Sequence, residues 1–438
     1  MLGGIRFRPK SSRSSYRDEG GFLPAPASFS RIRSSKGNAW ILVLLGLFLF
    51  WVFDPISLFA PRFTSPDYPS PHPFGSLHTI GSTSKYLYPP IEDAPLLREL
   101  GLSKLFKETR VRDANVPEVE NTVFHSLNVD DDPDPVKQKA KEDTQNLISA
   151  HDRAKNAFKN QEKVVYRPKS KADYPKVVIV TAVDFQMYGL DYLAKVVQNR
   201  VNYAHAQNYG VYVRWYQEFV PILNSKQFLT AKERAKWVRL YCLRAAMFAF
   251  PEAEWFWYLD QDGLIANEKV NLIDYLLNRD DLSSSAIREQ PVIPPYGLIK
   301  TYKTLQPENV RLVFTQSETK IETNSFIVKN DVIGRGIIDI WSDKLFLNYN
   351  NFPHGPDSAI THILQWHPFV LSKTVIVPAR MINSLHSEEK LPENAKGSDY
   401  IHYFTGDLAV QWSSVGSPEE SAKLLKEYTS RDKKAAPK

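Results

Sequence analysis

Cysteine is almost missing from this chain: Cys242 is the only one among 438 residues. No disulfide can close within the chain, which excludes a disulfide-stapled scaffold and leaves the compartment open on that ground. Set in an apolar helical stretch over residues 241–250, the thiol reads as core and not as a nucleophile. The triplet Asn-x-Ser/Thr is also missing, so no glycosylation acceptor reports on exposure to a secretory lumen. Internal repeats are not found. Acid is scarce at the start: Asp18 and Glu19 stand against Arg6, Arg8, Lys10, Arg13, Arg17, Arg31, Arg33 and Lys36. Long apolar runs are few, but one, at residues 39–53, has neither charge nor proline.

The position of that run gives the basic tail its meaning. Counted through Ala60, with Asp54 and Pro55 as interruptions, it reaches the roughly 20 residues a membrane span needs. The preceding tail is long and varied for a signal peptide, and no small-residue cleavage site follows. Basic residues on the N-terminal side keep that end cytosolic, which predicts a type II signal-anchor with the rest of the chain lumenal. A buried core helix is the alternative. The basic residues precede this segment and do not lie on the folded part, so a nucleic-acid partner is not expected.

Four segments are predicted: a cytosolic tail over 1–38, a transmembrane anchor over 39–60, a stem over 61–172 and a catalytic domain over 173–438. Up to about residue 130 the stem is rich in Pro, Ser, Asp and Tyr and reads as extended and largely irregular. Residues 130–135 break the chain, and 136–163, without Gly or Pro, read as a solvated helix. The domain is large enough for a sizeable core, at 43% apolar and 12% aromatic residues overall. Apolar runs at 177–182, 211–215 and 255–259 read as strands. They alternate with helical patterns at 192–207 and 232–250. This rhythm predicts an α/β fold with an open, mostly parallel sheet, which places chemistry at the carboxyl ends of its strands. Further strands are expected at 311–314, 325–328 and 374–377.

One of those strand ends carries the main chemical signal. Trp255-Phe256-Trp257-Tyr258-Leu259 runs into Asp260-Gln261-Asp262-Gly263. Two carboxylates there suit a hard cation, Mn²⁺ or Mg²⁺, whose remaining ligands are diphosphate oxygens and water. Such a cation neutralises charge on a leaving nucleoside diphosphate, and Gly263 leaves room for a close approach. An Asp-x-Asp alone is also common in solvated turns and helix caps; here it follows five apolar residues.

These pieces have an order that resembles glycosyltransferase family 34, which includes fungal Golgi mannosyl- and galactosyltransferases. Thr181-Ala182-Val183-Asp184 comes first, then Asn199-Arg200-Val201-Asn202-Tyr203-Ala204, and Ala235-Lys236-Trp237. The stretch from Pro251 to Asp262 follows, then Thr323-Asn324-Ser325-Phe326, His354-Gly355-Pro356-Asp357-Ser358-Ala359, Arg380-Met381-Ile382-Asn383-Ser384 and Gly406-Asp407-Leu408-Ala409-Val410. The resemblance covers more than half the chain, and the tail, anchor and stem match the family plan. It implies a GT-A type nucleotide-diphospho-sugar transferase fold and transfer with retention into an α-linkage, with no protein nucleophile assigned. Within the family the likeness is greatest to α-1,6-mannosyltransferase subunits of a mannan polymerase complex. GDP-mannose is then the donor and an N-glycan mannan chain the acceptor, in the Golgi membrane beside other mannosyltransferase subunits. A weakly active scaffold subunit and a UDP-galactose transferase are the alternatives.

Site residues follow from the same resemblance. Asp260 and Asp262 are expected as catalytic metal ligands, with Asp357, or His354 beside it, near the sugar or acceptor. Thr181, Ala182 and Asp184 are expected at the base and ribose, although Asp184 also suits an ordinary helix cap. Arg200 and Lys236 are expected at the diphosphate or base, with solvated helix charges as the alternative. Capping equally suits Asp357. The third metal ligand departs from the pattern. Where many relatives have histidine this chain has Gln411, whose neutral amide oxygen can bind a hard cation, and His402 is an alternative. Asn324 and Val415 replace a common glycine and cysteine.

Overall fold

The computed structural model describes residues 80–101, 106–112, 120–126, 164–223, 231–292, 297–317, 320–349, 351–388, 401–413 and 417–435, plus isolated positions. The chain divides into two compact units, Met1–Asp67 and Tyr68–Lys438. In the first, the described positions, 43–46, 48 and 49, are helical. Among the described residues no helix is long and apolar enough to cross a membrane, and most of the predicted span over 39–60 lies outside them. The predicted helix over 136–163 also lies almost wholly outside them.

The second unit is built on a seven-stranded sheet. Its elements, in chain order, begin with β1 (Tyr86–Leu87), α1 (Ala94–Leu100), β2 (Val177–Val183), α2 (Leu190–Gln207) and β3 (Gly210–Trp215). Next come α3 (Ala231–Ala249), β4 (Trp255–Leu259), β5 (Gly263–Ile265), β6 (Leu312–Gln316), β7 (Ile321–Lys329), α4 (Val332–Trp341) and α5 (Pro356–Trp366). The last are β8 (Thr374–Ile376), β9 (Ser384–Leu385), β10 (Ala409–Gln411) and α6 (Pro418–Ala435). The sheet order is β8-β6-β7-β4-β2-β3-β1. All its pairings are parallel except those of β7, which runs antiparallel to both neighbours. This is the predicted mostly parallel α/β architecture.

Every residue of β2 is buried, because helices cover both faces of the sheet. Val177, Ile179 and Val183 enter the core cluster shared with α2, while Val178, Val180 and Ala182 enter the one shared with α3. The period of two along the strand produces that division. Each large side chain so buried contributes roughly 1.5–3 kcal/mol.

The stem differs from its predicted irregular character. Residues 80–101 belong to the globular fold: β1 pairs with β3 at the sheet edge, and Leu97 is buried. Arg98 on α1 donates to the carbonyls of Phe185 (3.0 Å) and Tyr188 (2.8 Å), beside the exit of β2. An amphipathic seven-residue helix is too short to stand out among prolines in sequence, and contacts far along the chain hold it.

A second, three-stranded sheet of order β9-β10-β5 closes over the acidic turn. Its β5 starts at Gly263, directly after the two acids, and Gly263 pairs with Gln411 of β10. A Cβ at Gly263 would lie 3.2 Å from Leu259 Cδ1 and 3.4 Å from the Val410 carbonyl oxygen, so a side chain at the join of the two sheets would have to displace Leu259 by a few tenths of an ångström.

Candidate active site

The acids lie in the turn between β4 and β5. The Asp260 amide donates to the Asn324 carbonyl on β7 (2.8 Å), and the Trp412 amide donates to the Asp262 carbonyl (2.8 Å). Arg200 props this turn from below. It is fully buried, and its Nη2 donates to the carbonyls of Asp260 (2.9 Å) and Gly263 (2.7 Å). Thr181 Oγ1 accepts from Arg200 Nε (3.3 Å) and donates to the Leu259 carbonyl (2.8 Å). Burial lowers the Arg200 pKa to about 10, still leaving a cation at neutral pH.

The Asp260 carboxylate is held by a cation. Arg239 on α3 donates from Nη2 to Asp260 Oδ2 at 2.6 Å, and its Nη1 lies 3.5 Å from Asp357 Oδ1. The guanidinium therefore bridges the acidic turn and the start of α5. Burial opposes its charge, but Asp260 and Asp357 more than offset that and raise its pKa. Asp357, itself buried, also takes the Lys320 ammonium on Oδ2 and the Thr323 hydroxyl on Oδ1. Lys320 in turn reaches Glu322 at 3.0 Å.

Asp262 is held differently. Tyr188 donates its hydroxyl to Asp262 Oδ1, and Tyr192 does so more loosely at 3.4 Å while also bonding the Gln261 carbonyl (2.9 Å). The two rings stack at 4.0 Å. Among the described residues no cationic side chain pairs directly with Asp262. Burial, then the neighbouring Asp260 charge, raise its pKa to about 7.

The structure therefore gathers Asp260, Asp357 and Lys236 on the α3 side of the sheet's exit, with Asp262 in the same turn held from the α2 side. Lys236, half-buried one turn before Arg239, acts with Lys320 on the ring of His354, whose pKa falls through burial and those charges. Other expectations need correction. The Thr181 hydroxyl and the Arg200 guanidinium are consumed inside the fold, and Ala182 packs in the core beneath α3. The reason is that both faces of β2 are covered and Arg200 reaches under the turn from α2, so these three side chains serve the fold, while the backbone of Thr181 and Ala182 still ends at the strand exit. Asp184 lies at the strand exit but caps its own turn, accepting from the amides of Gln186 (2.8 Å) and Met187 (3.2 Å).

Gln411 sits beside the acids through its pairing with Gly263. Its Oε1 accepts from the amide and hydroxyl of Ser413, at 2.9 and 2.6 Å. His402 pairs its backbone with Leu385 on β9. Among the described residues no group of three or more His, Cys, Asp or Glu is placed to hold a metal. The donor set for a cation is thus two hard carboxylates, one without a cationic partner. That set fits a divalent cation whose other ligands come from a diphosphate and water.

Sequence reading missed Arg239, Lys320, Thr323, Tyr188 and Tyr192. Arg239 did carry a signal, a charge in an apolar helical stretch three residues after Lys236. The tyrosines carried none, since Tyr188 in the connection before α2 and Tyr192 in its first turn meet Asp262 only through the packing of that segment against the acidic turn.

Residues 173–415 match the galactosyl transferase GMA12/MNN10 family. The chain is 31% identical over 395 residues to the probable alpha-1,6-mannosyltransferase MNN11 of Saccharomyces cerevisiae, covering 88% of this chain and 89% of that protein. It is 27% identical over 240 residues to an alpha-1,2-galactosyltransferase of Schizosaccharomyces pombe, covering 53% and 62%. A third relative, the probable alpha-1,6-mannosyltransferase MNN10 of S. cerevisiae, is 25% identical over 191 residues, covering 43% and 46%.

Proposed function

Because this chain belongs to the galactosyl transferase GMA12/MNN10 family, we propose that this glycosyltransferase moves mannose from GDP-mannose to a mannan or N-glycan acceptor in α-1,6 linkage. In this reading the domain is of GT-A type and the transfer retains the anomeric configuration. A type II anchor over 39–60 and a stem hold it in the Golgi lumen beside other mannosyltransferase subunits.

The observation that carries the reading is the Asp260–Asp262 turn, with Asp262 half-buried beside a like charge and without a cationic partner among the described residues. Asp260 and Asp262 would hold Mn²⁺ or Mg²⁺, which as a Lewis acid neutralises the leaving diphosphate. The chain's own groups fix the geometry. Arg239 locks Asp260 against Asp357, the stacked tyrosines aim Asp262, and Arg200 braces the turn from below. Lys236 and His354 lie within electrostatic reach of one another beside the start of α5, where anionic or hydroxylic groups of donor and acceptor would meet cationic and imidazole donors. The choice of mannose over galactose rests on the long match to an alpha-1,6-mannosyltransferase; UDP-galactose is the competing donor, as alpha-1,2-galactosyltransferases are also relatives.

The test is transfer by the full-length protein in detergent, with GDP-mannose or UDP-galactose, a mannose oligomer, and Mn²⁺ or EDTA. Mannose transfer abolished by EDTA and restored by Mn²⁺ is expected; transfer indifferent to EDTA would remove the metal from the reading. A second reading, a weakly active scaffold subunit, is favoured by the engagement of Gln411 Oε1 with Ser413, which withholds a third ligand. Mannose transfer that appears only when a partner subunit is added would favour it.

A further inference from the structure

The last helix, α6, lies beyond the family match, which ends at residue 415. Its buried positions are 421, 424, 425 and 428, a spacing that turns one face of the helix toward the domain. Leu424, Leu425 and Tyr428 join the core cluster that also holds Tyr188, Tyr192 and Trp412. Ser421 is the exception on that face, a small polar side chain only 1% exposed. A buried hydroxyl costs free energy unless it is paired. Among the described residues the one hydrogen-bond partner of Ser421 Oγ is the Tyr188 hydroxyl, at 3.3 Å.

That contact has a direction. The Tyr188 phenol carries one proton, and it goes to Asp262 Oδ1. Toward Ser421 the phenol oxygen can then only accept, so the serine donates. Hydrogen bonds in such a chain polarise one another, and accepting from Ser421 makes Tyr188 a stronger donor to the acid. Both tyrosines bond Oδ1 of Asp262, and its Oδ2 accepts no hydrogen bond among the described residues. A lysine or arginine in place of this relay would compete with a bound cation for the carboxylate. A hydroxyl donating through a phenol restrains the group and leaves its charge.

The helix is fixed against the same turn by a second route. Tyr428, about two turns beyond Ser421, stacks on Trp412 with centroids 5.9 Å and planes 2° apart. The Trp412 amide is the donor to the Asp262 carbonyl. The Tyr428 hydroxyl meets His386 Nδ1 at 2.8 Å, and the His386 amide donates to the Gln411 carbonyl at 2.8 Å. One face of α6 is thereby registered to both the main chain and the side chain of Asp262.

We propose that Ser421 is a positioning residue for Asp262: acting through the Tyr188 hydroxyl, it fixes Oδ1 and leaves Oδ2 to a divalent cation, so that the last helix tunes the affinity of the acidic turn for metal. This deepens the proposed function and rests on its reading of that turn as a cation site.

Calorimetry of Mn²⁺ binding to the full-length protein in detergent tests it. Ser421→Ala is expected to bind Mn²⁺ about threefold more weakly, as suits the loss of one neutral hydrogen bond. In the Tyr188→Phe background the same change is expected to have no further effect, because the hydroxyl it acts through is gone. Ser421→Cys keeps the side chain's place in the packing but donates weakly, and is expected to show the same threefold loss. Wild-type affinity in either Ser421 variant would overturn the positioning role. So would a further threefold loss in the Tyr188→Phe background, which would make the effect one of helix packing. A wild-type protein with no affinity for Mn²⁺ would overturn the metal reading and the positioning role together, whereas wild-type binding that Ser421→Ala leaves unaltered removes the role alone. Thermal unfolding of each variant separates a lost contact from a lost fold.

Discussion

Asp260 and Asp262 are two residues apart in one turn, yet opposite kinds of group hold them. Asp260 shares the Arg239 guanidinium with Asp357. Asp262 has two tyrosine hydroxyls, which hydrogen-bond to a carboxylate without cancelling its charge. Its neutral surroundings and the nearby Asp260 push its pKa to about 7. The contrast assigns two roles: Asp260 is already neutralised and ties the turn to α5, whereas Asp262 stands to gain most from an added cation.

That contrast can be broken at several points, the heaviest first. Asp262→Asn removes charge where no cation compensates it, and metal-dependent turnover should fall about 10⁴-fold, or ~5.5 kcal/mol of barrier. Its folded stability should hold or rise in a urea titration; turnover near wild type would end the metal reading. Arg239→Met has the reverse signature. It leaves the buried Asp357 and the half-buried Asp260 without their shared counter-charge, and the equilibrium stability should drop by about 3 kcal/mol. An unfolding midpoint equal to wild type would show that the bridge is not holding the fold.

Tyr188→Phe sharpens the comparison from the neutral side. Losing one hydrogen bond to a carboxylate should weaken Mn²⁺ binding by about tenfold, ~1.4 kcal/mol, with an unchanged melting temperature. Calorimetry of Mn²⁺ binding measures this, and equal affinity in the two proteins would deny the tyrosine a positioning role. The smallest effect belongs to Lys236→Ala. This half-buried charge should change the KM for the donor by no more than about fivefold, less at high salt. A loss as large as that of Asp262→Asn would move Lys236 into the reacting centre.

Much of this molecule was readable before any coordinates. The aromatic run Trp255–Leu259 was recognisable as a strand because five consecutive apolar residues fit a sheet covered on both faces. The acids at its end could be picked out because chemistry gathers at the carboxyl ends of parallel strands. The same reasoning failed for Thr181 and Arg200. Motif membership cannot tell a side chain that faces a ligand from one that braces the turn beneath it. The hydroxyl of Thr181 and the guanidinium of Arg200 serve the carbonyls of residues about 60–80 positions further on. The stem's contribution to the sheet, β1 and α1, was hidden for a related reason: two residues of strand have no period to read.

The sequence by itself determined the alternation of strands and helices, the place of the acidic turn and the family, because each is written in local runs of residue type. Tertiary structure alone decided that Arg239 joins Asp260 to Asp357, that two tyrosines hold Asp262, and that Gln411 lies beside Gly263. Those contacts join residues 21 to 148 positions apart. A pairing across such a distance depends on how helices pack on the sheet, and no local pattern of side chains encodes it.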